Sequence, residues 1–178
     1  MKTKAILVSI IVLTTLLVGC TQAPTTDTTD SSDTSTDVVT TASIVDTAAA
    51  FENAISAEGT WIIATTKDIT IDTPLTLNGT FVTDDNEVKR KIGLYTQDED
   101  RNVTARFVLT APSLTINSPN ASIEHGTFVG DVYVSADNFQ LKDATIKGNL
   151  YFTTPTAQST FLMDGTSSVT GVQELVQQ

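Results

Sequence analysis

Gly126-Thr-Phe-Val-Gly-Asp-Val-Tyr-Val134 and Ala144-Thr-Ile-Lys-Gly-Asn-Leu-Tyr-Phe152 share one pattern: small-Thr-apolar-x-Gly-(Asp/Asn)-apolar-Tyr-apolar. The offset between the two stretches is 144 − 126 = 18. Val169-Thr-Gly-Val172 is a weaker third echo. A fixed period marks a repeat architecture, and a period of about 18 is three sides of about six, one coil of a β-helix. In such a coil the inward apolar residues lie over those of the preceding coil. Gly130 and Gly148 then stack at a corner, where positive φ or close backbone approach is needed. Asp131 and Asn149 stack beside them as turn formers.

Outward from this repeat, short apolar-x-apolar triplets run from Trp61-Ile63 through Ile69-Ile71, Leu75-Leu77, Ile92-Leu94, Phe107-Leu109, Leu114-Ile116, Phe139-Leu141 and Leu150-Phe152 to Phe161-Met163. Thr, Asn, Asp, Gly and Pro separate them, which is a β signature of short strands and frequent turns. The fold class is therefore mostly β: a short parallel β-solenoid, with an antiparallel β-sandwich as the alternative. Ile44 to Ala57 is the one helix-like stretch and reads as a short amphipathic helix of two to three turns, capped by Asp46 or Thr47, with Phe51, Ala54 and Ile55 on one face and Gly59 as the stop. As a cap, that helix covers one open end of the stack. Glu174 to Gln178 are polar and read as a cap for the other end. Asp84 to Lys91 and Thr96 to Arg106 are polar and charged, and read as loops or a hairpin projecting from the coils. Trp61 sits in an apolar run and reads as core.

The N-terminus is of a different kind. Lys2 and Lys4 precede an apolar run, Ala5 to Leu16, followed by Leu17, Val18, Gly19 and Cys20. The run is shorter than the roughly 20 residues that span a bilayer and has the organisation of a secretory signal. Leu17-Val18-Gly19-Cys20 resembles the bacterial lipobox. That resemblance implies cleavage after residue 19 and a diacylglycerol on Cys20, with palmitate-type acyl chains as the anchor. Acyl chains at about 0.8 kcal/mol per buried CH₂ hold a protein on a membrane without a spanning helix. Cys20 is the only cysteine, so no disulfide forms within the chain. Residues 20–43 are Thr-, Ser- and Asp-rich, with almost nothing to bury, and read as a disordered, charge-extended tether. The resulting organisation is a signal over 1–19, a lipidated cysteine and tether over 20–43, and a β domain over 44–178.

Ten basic and 21 acidic residues give a formal charge of −11. Without Lys2 and Lys4 the sum is 8 − 21 = −13. Such a surface repels phosphate backbones and anionic headgroups, which excludes nucleic acid as a partner and holds the domain off the membrane.

No recognised catalytic set is present. His125 is the only histidine, and its sequence neighbours Ser122 and Glu124 form no nucleophile-elbow motif. Zinc needs more His or Cys than the chain has. No metal or cofactor is expected. Asp98, Asp100 and Arg101 form the one mixed-charge run with a ligand-binding composition, and glycosidic cleavage needs paired carboxylates. Asp131 and Asp143 are a second carboxylate pair that successive coils bring near each other. Tyr133 and Tyr151 are central in their triplets and carry the same offset, so they point outward as a stacked pair. They are candidates for sugar binding or for supporting the sheet face.

From Trp61-Ile-Ile-Ala-Thr-Thr-Lys-Asp through Tyr95-Thr-Gln-Asp-Glu-Asp-Arg-Asn-Val-Thr104 to Gly126–Val134, the domain resembles a group of uncharacterised lipoproteins and secreted proteins of Gram-positive anaerobes. The resemblance implies a right-handed β-helix of the pectin-lyase type, sometimes labelled polymer-forming by analogy with bactofilins. Bactofilins are cytoplasmic, whereas this chain carries an export signal. The resemblance implies an envelope location and carries over no catalytic residue. The expected function is a lipid-anchored, non-enzymatic protein on the extracytoplasmic face of the cell membrane, acting in structure, adhesion or assembly. Its expected partners are membrane lipid through Cys20 and a cell-wall glycan or envelope protein. The alternative is a carbohydrate-binding or polysaccharide-cleaving module.

Overall fold

The structure is a computed structural model, and it describes residues 42–176. The signal segment, Leu17, Val18, Gly19, Cys20, the tether up to residue 41, and residues 177–178 lie outside the described residues.

In chain order the elements are β1 (Ser43–Val45), α1 (Ala48–Ile55), β2 (Ile62–Thr65), β3 (Ile69–Thr70), β4 (Leu75–Leu77), β5 (Arg90–Gly93), β6 (Tyr95–Gln97) and β7 (Val103–Arg106). There follow β8 (Val108–Ile116), β9 (Ala121–Glu124), β10 (Thr127–Val134), β11 (Gln140–Lys142), β12 (Thr145–Lys147), β13 (Leu150–Phe152), α2 (Pro155–Ser159), β14 (Leu162–Met163), β15 (Ser168–Val169) and β16 (Gln173–Leu175). The described residues are mostly β, with parallel sheets and no closed barrel.

The first sheet has the order β1-β2-β5-β9-β11-β14. The second is built on β8 and β10, with β3 and β4 on one side and β12, β13, β15 and β16 on the other. Every pairing in both is parallel. The antiparallel sandwich is therefore not the arrangement. Antiparallel pairing is confined, among the described residues, to the β6–β7 hairpin and a Val82–Val88 bridge.

The sequence repeat sets the register. Thr127 pairs with Thr145, Phe128 with Ile146, Val132 with Leu150 and Tyr133 with Tyr151. Because side chains alternate along a strand, parallel in-register pairing puts like over like. Ile63, Ile92, Ile123 and Leu141 form one buried column. Ile69, Leu109, Phe128 and Ile146 form a second. Leu77, Ile116, Val134 and Phe152 form a third, and all three are essentially closed to water. At one corner, a Cβ on Gly148 would meet the Gly130 carbonyl oxygen at 2.0 Å, and the Gly171 N–H donates to the Gly148 carbonyl at 2.9 Å. Gly171 belongs to the third echo, where Ser168 pairs with Thr145 at an offset of 168 − 145 = 23. The excess over the regular period matches the length of α2, inserted before it.

Polar corners stack in the same way. Asn138 donates to Asn120 at 2.9 Å, the Asn149 side chain donates to Asp131 at 3.0 Å, and the Ser135 hydroxyl donates to Asn117 at 2.6 Å. Asn120, Asn138, His125 and Asp143 all have φ between 51° and 60°.

Three local expectations are corrected. The helix of two to three turns expected after a cap at Asp46 or Thr47 runs over Ala48–Ile55, but Ile44 and Val45 ahead of it extend and pair with Ala64 and Thr65, giving the first sheet its edge, and Ser43 joins them. Thr47 is the N-cap, its hydroxyl accepting from the Ala50 N–H. Arg90 and Lys91 are not in a projecting loop. They lie in β5, and the Arg90 side chain turns inward, where it is 1 % exposed. Trp61 is half-buried at a bend rather than in the core, because regular alternation starts only at Ile62.

Helix α1 buries Phe51, Ala54 and Ile55 and packs on β1, β2 and β4, the first strands of the two sheets. The last strands are less protected, leaving Leu162, Met163, Val172 and Leu175 exposed. Residues 174–176, read as a polar end cap, therefore leave apolar surface open.

Candidate functional site

The outer face of the first sheet is the built surface of the molecule. Its register rows are Ile62, Lys91, Ser122, Gln140 and then Ala64, Gly93, Glu124, Lys142. The two charged insertions flank it, since residues 80–89 precede β5 and the β6–β7 hairpin follows it. Beside the first insertion lies a cleft of about 550 Å³, whose wall includes Trp61, Lys89, Lys91, Ser122, Glu124 and Lys142. Beside the second lies an apolar groove of about 310 Å³ along Ile44, Ile62, Ala64, Gly93 and Tyr95. Lys91 lines both.

Glu124 organises the cleft. Lys91 Nζ lies 2.7 Å from Oε2, Lys142 Nζ lies 3.3 Å from Oε1, and the Ser122 hydroxyl donates to Oε1 at 3.0 Å. Burial alone would raise this carboxyl; the Lys91 hydrogen bond and charge, with Lys142 and Ser122, outweigh it and hold the pKa below the ordinary value. Burial likewise disfavours the Lys91 ammonium, but Glu124 and a 2.8 Å hydrogen bond to the Tyr95 hydroxyl leave it raised. One carboxylate thus serves two ammoniums. A carboxylate held ionised by two cations is poorly suited to general-acid chemistry.

Beneath the cleft Arg90 donates to the Ala54 and Ser56 carbonyls at 2.8 and 2.9 Å, with its guanidinium 3.9 Å from the centre of the Phe81 ring. Its Nε and Nη1 find no partner among the described residues, and burial lowers its pKa to about 10. It pins α1 to the first insertion.

The candidate ligand-binding residues of the sequence, Tyr133, Tyr151, Asp98, Asp100 and Arg101, are not gathered in this cleft. Tyr133 and Tyr151 do pair, with ring centres 5.1 Å apart, but on the second sheet. Burial and then the charge of Asp131 raise the Tyr151 hydroxyl. Asp98, Asp100 and Arg101 form the tip of the β6–β7 hairpin. Asp98 accepts from the Asn102 N–H at 2.8 Å and from its side chain at 3.1 Å, which lowers its pKa, and Arg101 takes φ +66°. The Asp98 carboxylate is thus engaged in closing a turn. Asp131 and Asp143 do not face each other: Asp131 stacks on Asn149, and Asp143 takes Arg106 and His125. The His125 Nδ1 lies 3.0 Å from Asp143, and its ring meets Tyr95 edge-on at 4.4 Å. Ser122 and Glu124 bond to each other instead, because they share the strand's outer face while His125 turns the corner. Arg106, then His125, lower the Asp143 pKa.

Sequence reasoning missed the cleft because its residues come from four separate strands or loops. The available signal was basic density: of ten basic residues in the chain, Lys89, Arg90, Lys91 and Lys142 line this one concavity. Among the described residues, no helix is long and apolar enough to cross a membrane, and no group of three or more His, Cys, Asp or Glu is placed to hold a metal ion. No protein-family model, no curated protein and no solved structure matches this chain.

Proposed function

We propose that this chain is a lipoprotein of the kind its N-terminus resembles, anchored through Cys20, and that it holds a short right-handed β-solenoid at the extracytoplasmic face for adhesion to the cell envelope. In this reading the two parallel ladders are sides of stacked coils, α1 is the N-terminal cap, and residues 20–43 are the tether. The observation that carries the adhesive role is the outer face of the first sheet. It is a hydrogen-bonded floor between two projecting insertions, with Trp61 and unevenly paired lysines lining its cleft. Preorganised surfaces of this kind bind without a large ordering cost. The function is recognition rather than reaction, because Glu124, the buried carboxylate of the cleft, is committed to two lysines.

Cys20→Ala tests the anchor. In a bacterial host fed radiolabelled palmitate, the wild-type full chain is expected to carry label in the membrane fraction and to be digested by protease added to intact, wall-stripped cells. The variant is expected to carry none. Label on the Cys20→Ala chain, or protection of the wild type until cells are lysed, overturns the lipoprotein reading.

A further inference from the structure

We infer that the cleft beside Trp61 binds an acidic glycan, its anionic groups held by Lys89 and Lys142 and a sugar ring held against the Trp61 indole. This names the ligand class of the adhesive face and rests on that reading. Three observations converge.

The first is charge. Three lysines, Lys89, Lys91 and Lys142, and two carboxylates, Glu87 and Glu124, line the cleft, a formal 3 − 2 = +1, and the buried Arg90 guanidinium lies beneath it. The whole chain sums to −11. A positive concavity in a negative field selects for an anion and concentrates it locally, while the surrounding surface repels anions that do not fit.

The second is availability. Lys91 is tied to Glu124 and Tyr95 and is only 22 % exposed, so it belongs to the floor. Lys142 and Lys89 are each half-exposed. Lys142 shares a carboxylate already satisfied by Lys91, and the Lys89 ion pair with Glu87 lies at the surface, where such pairs are worth little. An incoming carboxylate or phosphate gains two charged donors without breaking a buried pair.

The third is shape. Trp61 is half-buried and lines the same cleft. A concavity of about 550 Å³ lies within the ordinary size of small-ligand sites. Gln140 lines it as well, supplying an amide group for sugar hydroxyls.

Trp61 is the only tryptophan of the chain and reports on the site directly. The full chain, purified in non-ionic detergent, is titrated with oligogalacturonate, with a phosphomannan oligosaccharide and with neutral chitooligosaccharide while tryptophan emission is followed. The two acidic arms separate a carboxylate source from a phosphate source. An emission change with at least one acidic glycan is expected, suppressed by salt. Lys89→Gln/Lys142→Gln is expected to weaken that binding by about tenfold or more. Lys147→Gln, an exposed lysine on the second sheet, is expected to leave it unchanged. An equal response to the neutral sugar, or undiminished affinity in the double variant, overturns the assignment. If no glycan perturbs Trp61 but the chain still sediments with cell-wall material, this inference fails and the adhesive reading stands. If wall binding is absent too, both fail.

Discussion

Replacing Gly130 with valine is expected to destabilise the protein by about 3 kcal/mol or more, combining backbone strain with overpacking. Gly130 has φ +140°, where side chains are rarely accommodated, and a Cβ there would stand 2.0 Å from the Ala111 carbonyl oxygen. The atom met is backbone, which has no rotamer to escape into. Gly148 lies directly over Gly130, so displacing one layer displaces the next. The control is Gly165→Val, where an added Cβ meets nothing within 4 Å; it is expected to change stability by no more than about 0.5 kcal/mol. Urea unfolding of the two variants checks the contrast. Equal midpoints would mean that the glycine corner is not a close backbone approach.

Glu124→Ala is the second large effect, at about 2–4 kcal/mol, because it strands a largely buried Lys91 ammonium. Glu124→Gln keeps one acceptor oxygen, for Lys91 or for Ser122, and is expected to cost less. The same residue gives a pH signature. Its folded pKa lies below the ordinary 4.5, so its stabilisation is complete above that value and is lost as pH falls through the lowered folded pKa. Asp143, lowered chiefly by Arg106, acts in the same direction. The wild-type urea midpoint is therefore expected to fall between pH 6 and pH 3, and Glu124→Gln is expected to show a smaller fall. An equal fall in both would detach Glu124 from the acid sensitivity.

The register of the strands was readable because the repeat is written in residues that the stacking itself demands. Gly130 over Gly148, Asp131 over Asn149 and Tyr133 over Tyr151 follow from one shared offset, and the paired strands have that offset. The early coils were harder to read. Ile63 pairs with Ile92 across a much longer stretch of chain, because an insertion intervenes, and no fixed period survives. Arg90-Lys91 disguised the start of β5: period-two alternation places Arg90 inside, but a cation there is explicable only once the Ala54 and Ser56 carbonyls at the end of α1 are seen to receive it. The cleft was illegible for the same reason. Trp61, Lys89, Ser122 and Lys142 are far apart in sequence, and only parallel stacking makes them neighbours. Tyr133 and Tyr151 stood out in the sequence because they repeat, yet repetition on an open sheet face reports stacking as readily as binding.

The most direct test of the account is a cell-wall pull-down with the full chain in non-ionic detergent, comparing wild type, Trp61→Ala and Tyr133→Ala/Tyr151→Ala after circular dichroism shows all three folded. The account predicts that wild type and the tyrosine double variant sediment with wall material and that Trp61→Ala is lost to the supernatant. Retention of Trp61→Ala with loss of the tyrosine variant would move the adhesive surface to the second sheet and contradict the account.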